Sequence, residues 1–294
     1  MPVEPPIATP ASLAEAYVVL AGSTAEARIT PIAGGTDVMV RITGEIGPPP
    51  TAMVDLSRLD ELRGISVDAG AVILGARTTY TEIRRSDVCR EHLPALVDAA
   101  ATIGAAQIQN RGTLGGNIAN ASPAGDTLPV LLALDAEIVV GGVRGERTIP
   151  VADFWVAYRR TALAADELIL RIRIPVAGGR EARFRKIGTR RAQAISKVVL
   201  ALAWREVGAG ANGHGRAWSD VRLALGSVAD RPIRARATEA VLEGAAPTPQ
   251  TADAAAEALA AEIHPIDDVR STADYRRAVA ARALHRMIRD AGGW

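Results

Sequence analysis

Three stretches of the chain hold residues whose types and spacing suit chemistry. The first is Pro31-Ile32-Ala33-Gly34-Gly35-Thr36-Asp37. Paired glycines at the end of a strand let the backbone turn tightly and approach a ligand with no Cβ in the way. Successive N–H groups in such a turn converge on an anion, and a helix starting near Thr36 would aim its positive end the same way. Taken alone, Gly34-Gly35 fits a plain strand-to-helix turn equally well. The second stretch runs from Asn110-Arg111-Gly112-Thr113-Leu114-Gly115-Gly116-Asn117 through Asn120, Ser122, Pro123, Gly125 and Asp126. Backbone donors with Thr113, Asn117 and Ser122 suit a phosphate, and Asp126 suits sugar hydroxyls. A loop beyond roughly a dozen residues between apolar segments is usually functional. The third, Phe184 to Val198, carries five cations: Arg185, Lys186, Arg190, Arg191 and Lys197. Alternation with Phe184 singles out Lys186, although a solvated charged strand is the plainer reading.

Two glycine turns on separate strands suggest a pincer on a diphosphate, which needs donors from both sides. Neither matches Gly-x-Gly-x-x-Gly or the Gly-Lys-Ser/Thr phosphate loop, so the expected fold is another kind of dinucleotide binder. Other chemistries find little support. His92, His214, His264 and His285 are scattered without metal-ligand spacing, and no Gly-x-Ser-x-Gly elbow occurs. The single cysteine, Cys89, excludes an intrachain disulfide and any cysteine-ligated iron–sulfur cluster held by this chain alone. A formal net charge of +1 with no long basic block gives no reason to expect nucleic acid. No apolar run is long enough to span a membrane and no leader pattern opens the chain, so the expected compartment is the cytoplasm.

At 294 residues, 48% hydrophobic, the chain is long enough for two domains. Capping-box spacing at Ser12–Glu15 and Thr79–Glu82 predicts two helix starts, and Leu93 to Ile103 fits a third helix. Strands are expected at 29–33, 53–56, 72–76, 131–140, 149 and 168–174, with an irregular ligand loop over 107–129. Pro175 to Arg180, containing Gly178-Gly179, reads as a domain linker. Beyond it, strands at 184–187, 197–206 and 221–228 precede helices at 233–242, 251–262 and 274–290, a small α+β domain.

Together, "PIAGGTDVMV", "QNRGTLGGNIANASPAGDTLPVLLALDAEIVV" and "FRKIGTRRAQAISKV" resemble the FAD-binding subunit of xanthine dehydrogenase- and carbon monoxide dehydrogenase-type molybdenum hydroxylases, over nearly the whole chain. The resemblance implies an α+β protein. Residues 1–177 would form the FAD-binding domain of the vanillyl-alcohol oxidase-like (PCMH) type, with two subdomains, and 181–290 a flavoprotein C-terminal domain. By the same resemblance, Ile32, Ala33, Gly34, Gly35, Thr36, Asp37 and Val38 wrap the FAD diphosphate, and Thr113, Leu114, Gly115, Gly116 and Asn117 form the opposing turn. Ile103 and Asp126 match cofactor-contacting positions, Ile169 a contact near the adenine, Lys186 a lysine that reaches the flavin, and Ile195 an aliphatic neighbour of the isoalloxazine ring.

The early turn lacks the histidine that covalent relatives use, so FAD would be non-covalent. The implied partners are a large molybdopterin-binding subunit and a small subunit with 2Fe–2S clusters, in a dimer of heterotrimers. NAD+, quinone or oxygen would be the electron acceptor. The organic substrate would belong to the large subunit, a purine or other N-heterocycle ahead of an aldehyde or carbon monoxide. Two rival readings are a self-sufficient FAD oxidase or dehydrogenase, for which no base over the flavin is evident, and a nucleotide-binding assembly module without redox activity.

Overall fold

A computed structural model describes residues 5–24, 26–43, 48–176, 178–190, 193–209 and 216–294. Three sheets and a two-stranded ribbon, Trp155–Ala157 with Arg160–Thr161, organise these residues. The first is small and parallel, with Ala52–Asp55 between Ile7–Ala8 and Ile29–Ile32. Helix Leu13–Leu20, capped by the Ser12 hydroxyl on Glu15 N, covers it and buries Ala16 and Leu20 against Val54, Leu56 and Leu59. The glycine turn leaves this sheet at the C-terminal end of Ile29–Ile32, the end where parallel sheets commonly present ligand sites.

The second sheet is antiparallel, in the order Ile65–Asp68, Ala71–Gly75, Leu168–Pro175, Glu137–Gly142, Gly145–Pro150. Its central strand Leu168–Pro175 turns Leu168 and Leu170 into the small sheet's core, and Ile169, Ile172 and Ile174 into the main core. One strand thus welds the two halves of the N-terminal region together. Thr79 closes a full capping box with Glu82, so the chain passes from strand Ala71–Gly75 into helix Tyr80–Arg85 through a fixed turn.

The third sheet, Glu181–Ile187, Val198–Ala209, Arg216–Gly226 and Ile233–Arg234, is antiparallel. On Val198–Ala209, Leu200, Leu202 and Trp204 face a core completed by helices Arg236–Leu242, Pro249–Glu262 and Ala273–Gly292. Ala201 and Ala203 join the opposite core, and their small side chains let helix Leu128–Ala133 approach the sheet. Asp135, just beyond that helix, ties the regions further by ion pairs to Arg180, Arg222 and Arg234.

Three local expectations need correction. The helix expected over 233–242 starts only at Arg236, because Ile233–Arg234 pairs with Ala224 and Leu225 as a strand. Leu131 to Leu134 does not begin a strand: Leu128–Ala133 is a helix, and the strand starts only at Glu137. An all-apolar run carries no period, and here Pro129 starts a helix whose every residue is buried. The stretch 107–129 is not wholly irregular either, since helices Ala106–Arg111 and Leu114–Asn120 lie within it. Its glycines sit at helix ends and close contacts.

Candidate cofactor-binding cleft

A cleft of about 460 Å³ opens where the small sheet, the antiparallel sheet and helix Leu114–Asn120 meet. That is within the roughly 300–1,000 Å³ of small-molecule sites. It is lined by Ala33, Gly34, Gly35, Thr36, Asp37 and Val38 on one side and by Thr113, Gly115, Gly116, Asn117 and Asn120 on the other, with Ile169 on its floor beside Leu163 and Leu168. The two glycine turns touch. A Cβ on Gly34 would stand 1.8 Å from the Arg111 carbonyl oxygen and 3.1 Å from Gly112 Cα. Gly115 is also close-packed: a Cβ there would stand 2.7 Å from Ala76 O, to which its N–H donates at 2.9 Å. Gly35 adopts φ +77°, the left-handed region that glycine enters without strain.

The jaws differ in what they offer. Around Leu114–Asn120 the first-turn donors are all engaged: Leu114 N on Thr78 O, Gly115 N on Ala76 O, Gly116 N on Thr113 Oγ1 and Asn117 N on Thr113 O. The N–H groups of Gly34, Gly35, Thr36, Asp37 and Val38 make no hydrogen bond among the described residues. The early turn therefore carries the run of free donors, and the second jaw carries shape and side chains. The Asn117 carboxamide accepts from Thr127 Oγ1 at 2.6 Å, which leaves its amide hydrogens free. Asn120 donates to Asp37 Oδ1 at 2.8 Å and accepts from Arg159 at 2.9 Å, bridging jaw to jaw.

Charge complements the donors. Arg28, Arg41, Arg77 and Arg159 line the cleft against a single acid, Asp37. Arg77 has the Leu59 carbonyl, at 2.9 Å, where a carboxylate would be expected, and burial followed by Arg63 lowers its pKa. Guanidiniums of this kind suit an anionic guest.

The remaining anticipated residues lie outside this lining. Ile32 supports the turn, its Cδ1 3.6 Å from where a Gly35 Cβ would be, and Leu114 is fully buried in the main core. Lys186 and Asp126 find each other: Lys186 Nζ donates to Asp126 Oδ2 at 2.6 Å and to Thr102 O at 3.1 Å, the two side chains being 9% and 7% exposed. Ser196 donates to Asp126 Oδ1, and Thr102 to Oδ2 at 3.2 Å. Burial pushes the Asp126 carboxyl up, and Lys186, Ser196 and Thr102 pull it back. Ile103 packs beside Thr102 against the main core, while Ile195 is 57% exposed. Asn117 joins this cluster to the cleft through Thr127, the neighbour of Asp126.

Arg77, Tyr80, Arg159 and Leu163 line the cleft with no mark in the sequence. The capping box that announces a helix start at Thr79 gives no hint that Thr79 bridges to Thr113 and so places Arg77 and Tyr80 on the cleft wall. Free consecutive donors, cations, Cβ-free approach at Gly35 and Gly116, and an apolar floor together fit a dinucleotide with a charged middle and a flat apolar end.

A site and fold of this kind suit a dinucleotide-binding subunit, and comparison with known proteins specifies which. Residues 3–177 match the family model for the FAD binding domain in molybdopterin dehydrogenase, and residues 183–291 that for the CO dehydrogenase flavoprotein C-terminal domain. The chain belongs to the FAD-binding medium-subunit family of the molybdenum hydroxylases, and is thus an oxidoreductase subunit. It is 31% identical to the carbon monoxide dehydrogenase medium chain of Hydrogenophaga pseudoflava, covering 95% of this chain and 94% of that one. It is 33% identical to the nicotine 6-hydroxylase medium subunit of Paenarthrobacter nicotinovorans, covering 97% and 96% respectively. Among solved structures, Hydrogenophaga pseudoflava carbon monoxide dehydrogenase superposes with a TM-score of 0.89 at 31% identity over 97% of this chain and 96% of that chain. Quinoline 2-oxidoreductase from Pseudomonas putida 86 gives 0.89 at 27% identity over 98% and 97%. Among the described residues, no helix is long and apolar enough to cross a membrane.

Proposed function

We propose that this subunit holds FAD non-covalently in the cleft and relays electrons from the 2Fe–2S clusters of a small partner subunit to NAD+, quinone or oxygen. The substrate chemistry would take place at the molybdenum cofactor of a large partner subunit, within a dimer of heterotrimers in the cytoplasm. One observation carries the reading: five consecutive unshared N–H groups, Gly34 to Val38, on an arginine-lined cleft. FAD, when bound, supplies the exchange between one-electron and two-electron chemistry, and the protein supplies position and electrostatics.

Each residue's part follows from its place. The N–H groups of Gly34 to Val38 bind the diphosphate, with Arg77 and Arg159 offsetting its charge. Gly116 keeps the second jaw clear, its Cβ position meeting only Thr113 Oγ1 at 2.9 Å. Ala33 and Ile32 fix the turn, and Thr113, Leu114, Gly115 and Asn117 fix the jaw that faces it. Leu163, Leu168 and Ile169 exclude water from the adenosine end. Asp126 and Lys186 hold a buried charge pair at the far end, where Ile103 and Ile195 add aliphatic surface. Relatives named for carbon monoxide, nicotine and xanthine share 30–33% identity with the chain, so identity does not single out one organic substrate.

The test uses the purified full-length chain and its complex. The chain should bind FAD stoichiometrically and release it on acid precipitation. Its flavin should be reduced by organic substrate only when both partner subunits are present. Bleaching of the isolated flavoprotein by an organic substrate would refute the relay, and failure to take up FAD would refute the cofactor assignment.

A further inference from the structure

Tyr80 opens the helix that follows strand Ala71–Gly75, and its side chain lines the cleft although the residue is only 3% exposed. Its ring packs on the second glycine turn: a Cβ on Gly112 would stand 2.8 Å from Tyr80 Cε2. The Tyr80 backbone N–H donates to Gly112 O at 3.3 Å, and the adjacent Thr79–Thr113 bridge holds the turn in place. Gly112 in turn abuts Gly34, so Tyr80 is one contact removed from the run of free N–H groups. The hydroxyl forms no hydrogen bond among the described residues, and it is not among the side-chain atoms sealed inside the protein without a partner. A phenol packed against the turn, its oxygen unshared and not sealed off in a residue that lines the cleft, lacks an acceptor that the protein does not provide.

We propose that the Tyr80 hydroxyl is a third donor arm of the cleft, giving its hydrogen bond to a diphosphate oxygen of the dinucleotide. The inference rests on the cofactor reading above and deepens it, adding a side-chain donor between the two backbone jaws. Burial, with the Asp37 and Asp126 carboxylates nearby, raises the phenol's pKa, so the group remains a protonated donor at any working pH. Hydrogen bonds to charged acceptors are among the stronger ones, worth roughly ten- to a hundredfold in affinity.

Tyr80→Phe removes only the oxygen and keeps the ring against Gly112, so stability should be unchanged. The full-length apoprotein, wild type and Y80F, is titrated calorimetrically with FAD, ADP and adenosine. Weakening of FAD and ADP by about tenfold or more, with adenosine affinity unmoved, is the expected result. Equal FAD affinity in the two proteins would overturn the Tyr80 assignment and leave the cofactor reading standing. An equal loss for adenosine would overturn it too, by placing the hydroxyl at the nucleoside. A wild-type protein that binds no FAD would instead sink the cofactor reading itself.

Discussion

Replacing Gly34 by alanine is the sharpest test of how the cleft is built. The new Cβ would lie 1.8 Å from the Arg111 carbonyl oxygen and 2.5 Å from its carbon, whereas real Cβ contacts essentially never fall below 3.0 Å. The two backbones must part by about 1.2 Å, and neither can yield as a flexible side chain would, because Leu56 N on Ile32 O and Asn120 on Asp37 brace the turn. Overpacking of this severity costs about 3 kcal/mol, the upper part of the usual range. In a chain of this size that lowers the melting temperature by about 6 °C. The same displacement carries the free N–H groups out of hydrogen-bonding range of a bound diphosphate. Losing two charge-assisted bonds at about 1.5 kcal/mol each weakens FAD about a hundredfold. Gly35→Ala is the control: its Cβ would meet only the side chains of Ile32 and Met39, at ordinary distances of 3.6 Å and 3.9 Å, leaving the left-handed φ of +77° at a cost of about 1–2 kcal/mol. Differential scanning calorimetry and FAD titration on both variants decide the matter. If Gly34→Ala proves no worse than Gly35→Ala in either measurement, the idea that the jaws are braced against each other is wrong.

Gly116→Leu should separate binding from folding, because Gly116 lines the cleft and a Cβ there meets only the Thr113 side-chain hydroxyl, at 2.9 Å, which can turn aside where a backbone could not. Native-like circular dichroism with no retained flavin absorbance is expected, and full flavin content would count against the second jaw. Lys186→Met strands a buried Asp126 carboxylate, and removing one member of a buried pair costs about 3–5 kcal/mol. In urea denaturation the double variant with Asp126→Asn should recover most of that loss, and a single-variant loss below about 1 kcal/mol would contradict the pairing. Glu167 accepts from Arg147 at 2.7 Å and from Ala164 N at 2.8 Å, and the Arg147 bond, ahead of the opposing burial, holds its carboxyl below the ordinary 4.5. A depressed carboxylate stabilises the fold above its unfolded pKa, and that contribution disappears as pH falls through the folded value. Stability should therefore decline below about pH 4.5, and Glu167→Gln should flatten that part of the acid limb in pH-dependent melting.

What was legible in the sequence tracks how local its cause is. Gly34-Gly35 could be read only beside the second glycine stretch, since alone it is an ordinary strand-to-helix turn, and Thr79–Glu82 because a capping box is complete within four residues. The helix at Leu128–Ala133 was illegible because an all-apolar segment satisfies strand and helix alike, and the choice is made by the alanines of a strand some seventy residues on. Lys186 stood out as one of two lysines, but not its partner: the ion pair to Asp126 spans 60 residues and crosses from one domain to the other. Arg77 and Tyr80 sit beside a legible cap, and the Thr79–Thr113 bridge is what brings them to the cleft wall.

The unequal jaws follow from what a helix start demands. Four N–H groups at the head of any helix need partners. At Leu114–Asn120 the Ala76–Thr78 turn and Thr113 provide them, so this jaw is complete without a ligand and can serve as a rigid template. The short helix Val38–Ile42 begins differently: Asp37 stands at its cap position without capping it, its carboxylate drawn off by Asn120. Donors left open in this way cost little while water reaches them and a good deal once a guest excludes it, unless that guest is an acceptor. On the proposed cofactor assignment the cleft would favour a diphosphate, because an apolar or cationic ligand of the same shape would leave those five N–H groups without an acceptor.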